Sequence, residues 1–318
     1  MTRNNLGQMQ STVLAILGPT ASGKSALGLA VAERYHGEII NCDSTAVYRG
    51  FDIGTDKLPV SARQGIPHHL IDIADPVDTY SAAKFSKEAS NIVREIQSRG
   101  KVPILVGGTG FYYRALTRGL FPGPGADEAL RSRLMRISKR YGDKRLHRVL
   151  RRVDPESGNR IMPRDRLRLI RALEVYFTTG ESLTSHFSRT VSPIQDLRVV
   201  AFALHLPPDV TAKRVARRVD QQFDRGVVEE ARQLLAQGVP ASARPFGGLV
   251  YRQILKQLRG EQTEKETREL IVRENRRYAR RQLIWLRKEP NLVWLNGPGD
   301  QPNVLENVHS VLLDSKVI

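Results

Sequence analysis

Gly18-Pro19-Thr20-Ala21-Ser22-Gly23-Lys24-Ser25 stands directly after the apolar run Val13-Leu14-Ala15-Ile16-Leu17 and directly before Ala26-Leu27-Gly28-Leu29-Ala30-Val31-Ala32. A strand, then G-x-x-x-x-G-K-S, then a helix is the arrangement of a phosphate-binding loop. The glycines let successive backbone N–H groups turn inward around an anion, Lys24 reaches an outer phosphate, and the Ser25 hydroxyl is placed to ligate Mg²⁺. The helix that follows aims the positive end of its dipole at the same anion. A phosphorylated compound is therefore expected near residue 20.

Working outward, short β-type apolar runs alternate with helical text. The runs are 13–17, 39–40, 70–73 and 102–106, and they return at 198–204 and 292–295. Between the third and fourth, Phe85, Ala89, Ile92, Val93 and Ile96 recur at helical spacing, with Ser81 as the expected N-cap and Gly100 as the stop. Further helices are expected near 209–237 and 264–289. The alternation predicts an α/β fold, a phosphate-loop type parallel sheet with helices on both faces, its ligand at the carboxyl ends of the strands. From Gly119 to Ser192 the text is arginine-rich and helical (127–141, 144–152, 164–179), entered through Phe121-Pro122-Gly123-Pro124-Gly125 and left at Ser192-Pro193. The expected organisation is a catalytic core of residues 1–118 and 199–318 carrying a mostly helical insertion domain at 119–198. The tail from Gly297 onward is expected to carry little chemistry.

Composition narrows the partners. Of 318 residues, 40% are hydrophobic and the formal net charge is +17, with a pI near 10.3. One phosphate loop does not need such an excess. It points to a polyanionic partner, nucleic acid first, beside the plainer possibility of a solubilising basic surface. A lone cysteine, Cys42, excludes an intramolecular disulfide, and no zinc-ligand spacing is present. With no membrane-length apolar run and no secretory pattern in residues 1–10, a cytoplasmic protein without membrane attachment is expected.

Phosphate-loop hydrolases and kinases usually hold Mg²⁺ with an acid at the end of a second strand. Here the strand Ile104-Leu105-Val106 runs into Gly107-Gly108-Thr109-Gly110, without a carboxylate. The strand at 39–40 instead ends in Asn41-Cys42-Asp43-Ser44, which sets Asp43 on the expected ligand edge of the sheet. From the residues alone, Asp43 is open between general base, metal ligand and turn-forming residue.

Taken together these segments resemble the tRNA dimethylallyltransferase (tRNA isopentenyltransferase) family, bacterial type, over about residues 13–295. The likeness rests on Gly18–Ser25, Asp43-Ser44-Thr45-Ala46-Val47-Tyr48-Arg49, Asp52-Ile53-Gly54-Thr55-Asp56-Lys57, Pro67-His68-His69-Leu70-Ile71-Asp72, Tyr80-Ser81-Ala82, Val106–Gly110, Arg171-Ala172-Leu173-Glu174-Val175, and the arginine-rich stretch Arg277–Arg287. The resemblance implies transfer of a dimethylallyl group from dimethylallyl diphosphate to N6 of adenosine 37, in tRNAs reading codons that begin with U. It implies Mg²⁺ as cofactor with Ser25 as ligand, a monomer, and a phosphate loop that holds a diphosphate leaving group. Gly18, Pro19, Thr20, Ala21, Ser22, Gly23, Lys24, Ser25 and Arg218 would bind diphosphate, and Arg214 lies near them. Asp43 would take the N6 proton, with Thr109 and Lys24 completing the catalytic set.

By the same resemblance, Asp43, Ser44, Thr45, Ala46, Thr109, Arg131, Leu167, Arg168, Leu169, Ile170, Arg171, Gly247, Gly248, Leu249, Val250, Tyr251 and Arg252 would face tRNA. The family commonly has glutamine at the place of Ala46, asparagine at that of Arg164, and an Ala-Ile-Gly-Tyr pattern where this chain has Gly248-Leu249-Val250-Tyr251. Arg168 and Arg171 have an alternative role in helix-surface ion pairs with Glu174. Arg276, Arg277, Arg280 and Arg281 read as a solvated face or as a phosphate-backbone contact. Tyr278, Leu283, Trp285 and Leu286 read as core, and His68 and His69 as structural. The enzymatic alternative is a nucleotide or small-molecule kinase with an arginine-rich lid.

Overall fold

The computed structural model describes residues 11–121 and 123–317. Among them, six strands form one sheet: β1 (Thr12–Leu17), β2 (Gly37–Cys42), β3 (His68–His69), β4 (Val102–Gly107), β5 (Arg198–His205) and β6 (Leu292–Asn296). Their order is β3-β2-β4-β1-β5-β6 and every pairing is parallel. In the middle, Ala15 of β1 lies opposite Leu105 of β4 and Ala201 of β5. β1, β2 and β4 are buried at every position, the pattern of strands covered on both faces. The expected fold class is borne out.

The covering helices follow the periodicity. α1 (Lys24–Arg34) lays Leu27 and Val31 on Leu14, Ile16, Ile104 and Val106 of the sheet, where Val304, Val308 and Leu312 of a C-terminal helix join them. α2 (Ala82–Ser98) starts at Ser81, whose hydroxyl accepts from Lys84 N at 3.2 Å, and buries Phe85, Ala89, Val93 and Ile96. It packs on α3 (Gly110–Thr117), the Phe85 and Tyr112 rings stacking at 4.3 Å. Each fully enclosed apolar side chain of this kind stabilises the core by about 1.5–3 kcal/mol. That supply is what lets a functional loop hold an unfavourable backbone such as Ala21 at φ 60.

The chain divides into two compact units, one running to Thr117 and resuming at Ile194, the other Arg118–Pro193. The second holds α4 (Glu128–Tyr141), α5 (Asp143–Val153), α6 (Pro155–Arg160), α7 (Arg166–Thr179) and α8 (Leu183–Ser188). Its core includes Leu134, Leu146, Leu150, Leu169 and Leu173. Glu174, with no exposed surface, accepts from Arg131 Nε at 2.8 Å, Arg171 Nη1 at 2.6 Å and Asp127 N at 2.8 Å. Burial pushes its carboxyl up, but these bonds prevail and hold it below the usual range.

In the first unit α9 (Pro208–Asp224), α10 (Val227–Ala236), α11 (Leu249–Leu258), α12 (Glu264–Leu286) and α13 (Pro302–Asp314) complete the fold. A Thr263–Glu266 capping box opens α12.

Two expectations change. The helix expected over 209–237 is two helices, divided at Arg225-Gly226. Residues 70–73 are not a strand: the sheet edge is His68–His69, and Leu70 and Asp72 turn to φ 61 and φ 57. Side chains take over from the ladder there. Asn41 Nδ2 donates to Leu70 O at 2.9 Å, and Lys57 Nζ donates to the Asp72 carboxylate at 2.5 Å. The apolar run of Leu70, Ile71 and Ile73 is real, but it fills a loop. α3, α6, α8, α11 and α13 are helices that the periodicity left unread.

Candidate active site

The carboxyl end of β1 leads straight into the phosphate loop, and α1 begins at Lys24. Gly23 sits at φ 88, and a Cβ there would approach Gly299 N to 2.8 Å and Asp300 N to 2.9 Å. Only glycine meets both demands. Those neighbours come from the tail that the sequence left without chemistry. Gly299 N donates to Ser22 O at 2.9 Å, while Arg214 donates to Ala21 O at 2.8 Å and pairs with Asp300 at 3.1 Å. The back of the loop is thus strapped by α9 and by the segment after β6.

A cavity of about 340 Å³ opens beside the loop, within the usual size of a small-ligand site. It brings together Thr20, Lys24, Ser25, Asp43, Thr45 and Arg218. Lys24 is partly buried, with Nζ 3.4 Å from Pro19 O. Burial pushes its pKa down, the Asp43 carboxylate opposes that, and Arg218 adds to it. An anion bound in the cavity would oppose the downward shift, as Asp43 does. Arg218 reaches in from α9, donating to Thr20 Oγ1 at 2.8 Å and pairing with Asp56 at 3.1 Å. Arg214 and Arg218, one helical turn apart, therefore hold the same loop from outside and inside. Ala21, Ser22 and Gly23 line a neighbouring hollow of about 380 Å³ with Arg214, Arg217 and Asp300.

Asp43 enters from the end of β2. β4 lies between β2 and β1, so the two loops are not on adjacent strands, yet both face one cavity. Thr45 N and Oγ1 both donate to Asp43 Oδ1, at 2.9 and 2.6 Å. This turn fixes the carboxylate's orientation. Thr109, from the end of β4, accepts from Ser44 N at 3.0 Å through Oγ1 and donates its amide to Cys42 O at 3.1 Å. It braces the Asp43 loop; neither it nor Ser44 is among the residues that line the cavity.

The far wall is built from Ala46, Gly247, Gly248, Leu249, Val250 and Tyr251, with His68 and Tyr278. Tyr251 is 2% exposed. Its hydroxyl donates to Glu230 and accepts from Gly54 N at 3.0 Å. Arg252 points elsewhere, to Glu274 at 2.7 Å. Tyr278 lines the cavity, and burial pushes its phenol up to about 12.

Residues 131 and 167–171 belong to the helical unit. Arg131 and Arg171 are held by Glu174, Arg168 pairs with Asp165 at 3.2 Å, and Leu167 is 76% exposed. Leu169 is buried in that unit's own core. A groove of about 590 Å³ there is lined by Arg131, Arg136, Lys139, Leu167 and Arg171. On α12, Arg276, Arg277, Arg280 and Arg281 are exposed.

Asp56, Lys57 and Gln282, given no role from the sequence beyond their place in the quoted segments, also line the cavity, as do Leu58, Pro245 and Asn275. Lys57 is buried and ties Asp52 (2.8 Å) to Asp72 and to Tyr48 O. Among the described residues no three His, Cys, Asp or Glu side chains gather to hold a metal, and no helix is long and apolar enough to cross a membrane.

An anion cradle and an opposed carboxylate at the carboxyl edge of a parallel sheet define a phosphate-loop α/β protein. The family model described as IPP transferase matches residues 46–289, and the chain belongs to that family. It is 45% identical to a tRNA dimethylallyltransferase of Solibacter usitatus, over 92% of this chain and 95% of that one. It is 41% identical to one of Geobacter metallireducens, over 94% and 97%. Among solved structures, a tRNA isopentenylpyrophosphate transferase of Bacillus halodurans superposes with TM-score 0.71 at 35% identity, covering 96% of this chain and 97% of that one. A eukaryotic dimethylallyltransferase acting on tRNA gives TM-score 0.77 at 25% identity, covering 96% and 79%.

Proposed function

We propose that this protein is a tRNA dimethylallyltransferase, moving the dimethylallyl group of dimethylallyl diphosphate to N6 of adenosine 37 in tRNAs that read codons beginning with U. The observation that carries the reading is one cavity lined by both Lys24 of the phosphate loop and Asp43. A kinase would want a carboxylate after β4, where this chain has Gly107-Gly108-Thr109. The alternative of a kinase with an arginine-rich lid loses its main support there.

The chemistry follows from the residues. Diphosphate lies against the loop amides, with Lys24 and Arg218 taking the charge that builds on its oxygens as the C–O bond breaks. N6 of adenine attacks the allylic carbon, the new N–C bond forms, and the N6 proton passes to the Asp43 carboxylate. Diphosphate leaves with the electron pair of the broken bond. The base must be out of its stack to reach Asp43. Mg²⁺ would be held through the Ser25 hydroxyl, an oxygen donor that lines the cavity beside Lys24, and would supply further neutralisation of the leaving group.

Thr45, Ala46 and the wall at 247–251 border the adenosine. The tRNA phosphates meet Arg131, Arg168 and the arginines of α12, in keeping with a net charge of +17. The acting species is a monomer in the cytoplasm, where its RNA substrate is. The test is incubation with labelled dimethylallyl diphosphate, Mg²⁺ and unmodified tRNA: label on adenosine 37 is expected. ATP consumption without labelled RNA would overturn the proposal in favour of a kinase.

A further inference from the structure

Gln282 sits on α12, which packs against α9 and α11, and its side chain is 7% exposed. Its two polar atoms are both spent, on two different loops. Oε1 accepts from Thr20 N at 2.9 Å, and Nε2 donates to Gly108 O at 2.9 Å. A Cβ on Gly108 would run into Nε2, so the backbone there comes as close to Gln282 as glycine allows. Thr20 belongs to the phosphate loop. Gly108 is followed by Thr109, whose hydroxyl accepts from Ser44 N, next to Asp43. One amide thus joins the cradle of the leaving group to the loop that carries the proton acceptor.

We infer that Gln282 is a positioning residue for the transfer reaction, fixing the separation between the diphosphate cradle and Asp43. The inference rests on the dimethylallyl-transfer reading above. An in-line displacement needs leaving group and nucleophile held on opposite sides of one carbon, and a misplacement of about 1 Å costs on the order of 100-fold in rate. An apolar side chain at 282 would leave Thr20 N and Gly108 O buried and unpaired, so the two loops would move to find other partners.

The test uses the full-length enzyme with dimethylallyl diphosphate and tRNA, alongside calorimetric binding of inorganic diphosphate. Gln282→Leu is expected to lower kcat by about 10–100-fold, to weaken diphosphate several-fold, and to leave tRNA affinity unchanged. Gln282→Glu supplies the decisive contrast, because its protonated carboxyl again offers one donor and one acceptor. Its kcat relative to wild type is expected to rise as pH falls, while the ratio for Gln282→Leu stays flat. Lys24, Asp43, Asp56, Lys57, His68, Arg218, Tyr251, Tyr278 and Arg281 line the same cavity and are common to all three proteins, so the ratio removes their titration. Parallel pH profiles for the two variants, or a Gln282→Leu enzyme within twofold of wild type, would overturn the inference. A wild-type enzyme that transfers no prenyl group would instead remove the reading on which it rests.

Discussion

Replacing Asp43 by asparagine separates the chemistry of that residue from its shape. Asp43 Oδ1 accepts from Thr45 N at 2.9 Å and from Thr45 Oγ1 at 2.6 Å. An asparagine keeps an oxygen in that place, so the turn that aims the side chain survives. What is lost is the ability to accept a proton. General-base catalysis contributes about 10²–10⁴-fold, which corresponds to roughly 3–5 kcal/mol of barrier. Asp43→Asn is therefore expected to lower kcat by that factor with tRNA affinity within a few-fold of wild type. Asp43→Ala also removes the turn bonds, at a further cost of about 1 kcal/mol each in local stability. The assay is single-turnover transfer of labelled dimethylallyl to tRNA, with tRNA affinity from filter binding at fixed salt. An Asp43→Asn enzyme retaining more than a tenth of wild-type rate, or losing rate and tRNA affinity in equal measure, would refute the assignment.

Further outcomes are expected. Lys24 has its folded pKa pushed below the ordinary 10.5 by burial, so the unfolded chain binds the extra proton and stability rises with pH through the window between the two values. Lys24→Met should accordingly unfold at higher temperature than wild type at neutral pH, with the gap closing as pH approaches that ordinary value. Diphosphate binding should take up a proton at Lys24 in the same window, seen as a buffer-dependent heat that the variant lacks; the same heat in both would contradict it. Tyr251→Phe deletes a buried hydroxyl bonded to Glu230 and Gly54 and should destabilise the fold by about 1–3 kcal/mol in a urea titration, leaving tRNA affinity unmoved. A tenfold loss of tRNA affinity at unchanged stability would instead put that ring against RNA. Arg214→Ala removes a bond to Ala21 O and an ion pair to Asp300; a loss of about 1 kcal/mol predicts roughly fivefold weaker diphosphate binding by calorimetry, and an unchanged affinity would mean the loop holds its shape alone.

The phosphate loop was legible because every requirement of it is local: a strand, glycines at set intervals, a lysine and a helix lie within twenty residues. The parallel sheet followed from alternation, which is also a local pattern. Leu70–Ile73 misled because its apolar run serves a loop in which the Leu70 carbonyl goes to Asn41. Gln282 could not be read from its neighbours at all. Its partner Thr20 is 262 residues away, and a lone glutamine amid arginines carries no period or spacing. Asp56 and Asp300 were hidden for the same reason. An acid that anchors an arginine looks, along the chain, like any surface acid, and only the return of distant segments to one sheet edge tells them apart.

Gly299 and Asp300, packed on the back of Gly23, set an order of events during synthesis. The loop emerges from the ribosome long before its supporting strap, which follows β6. A nascent chain, or one stopped before Gly297, would carry the whole phosphate-binding motif and still lack the support behind it. A phosphate loop with its support in place thus arrives only after Gly299 and Asp300 have been made. A bulky insertion close behind Asp300 would then weaken a loop that lies far upstream of it.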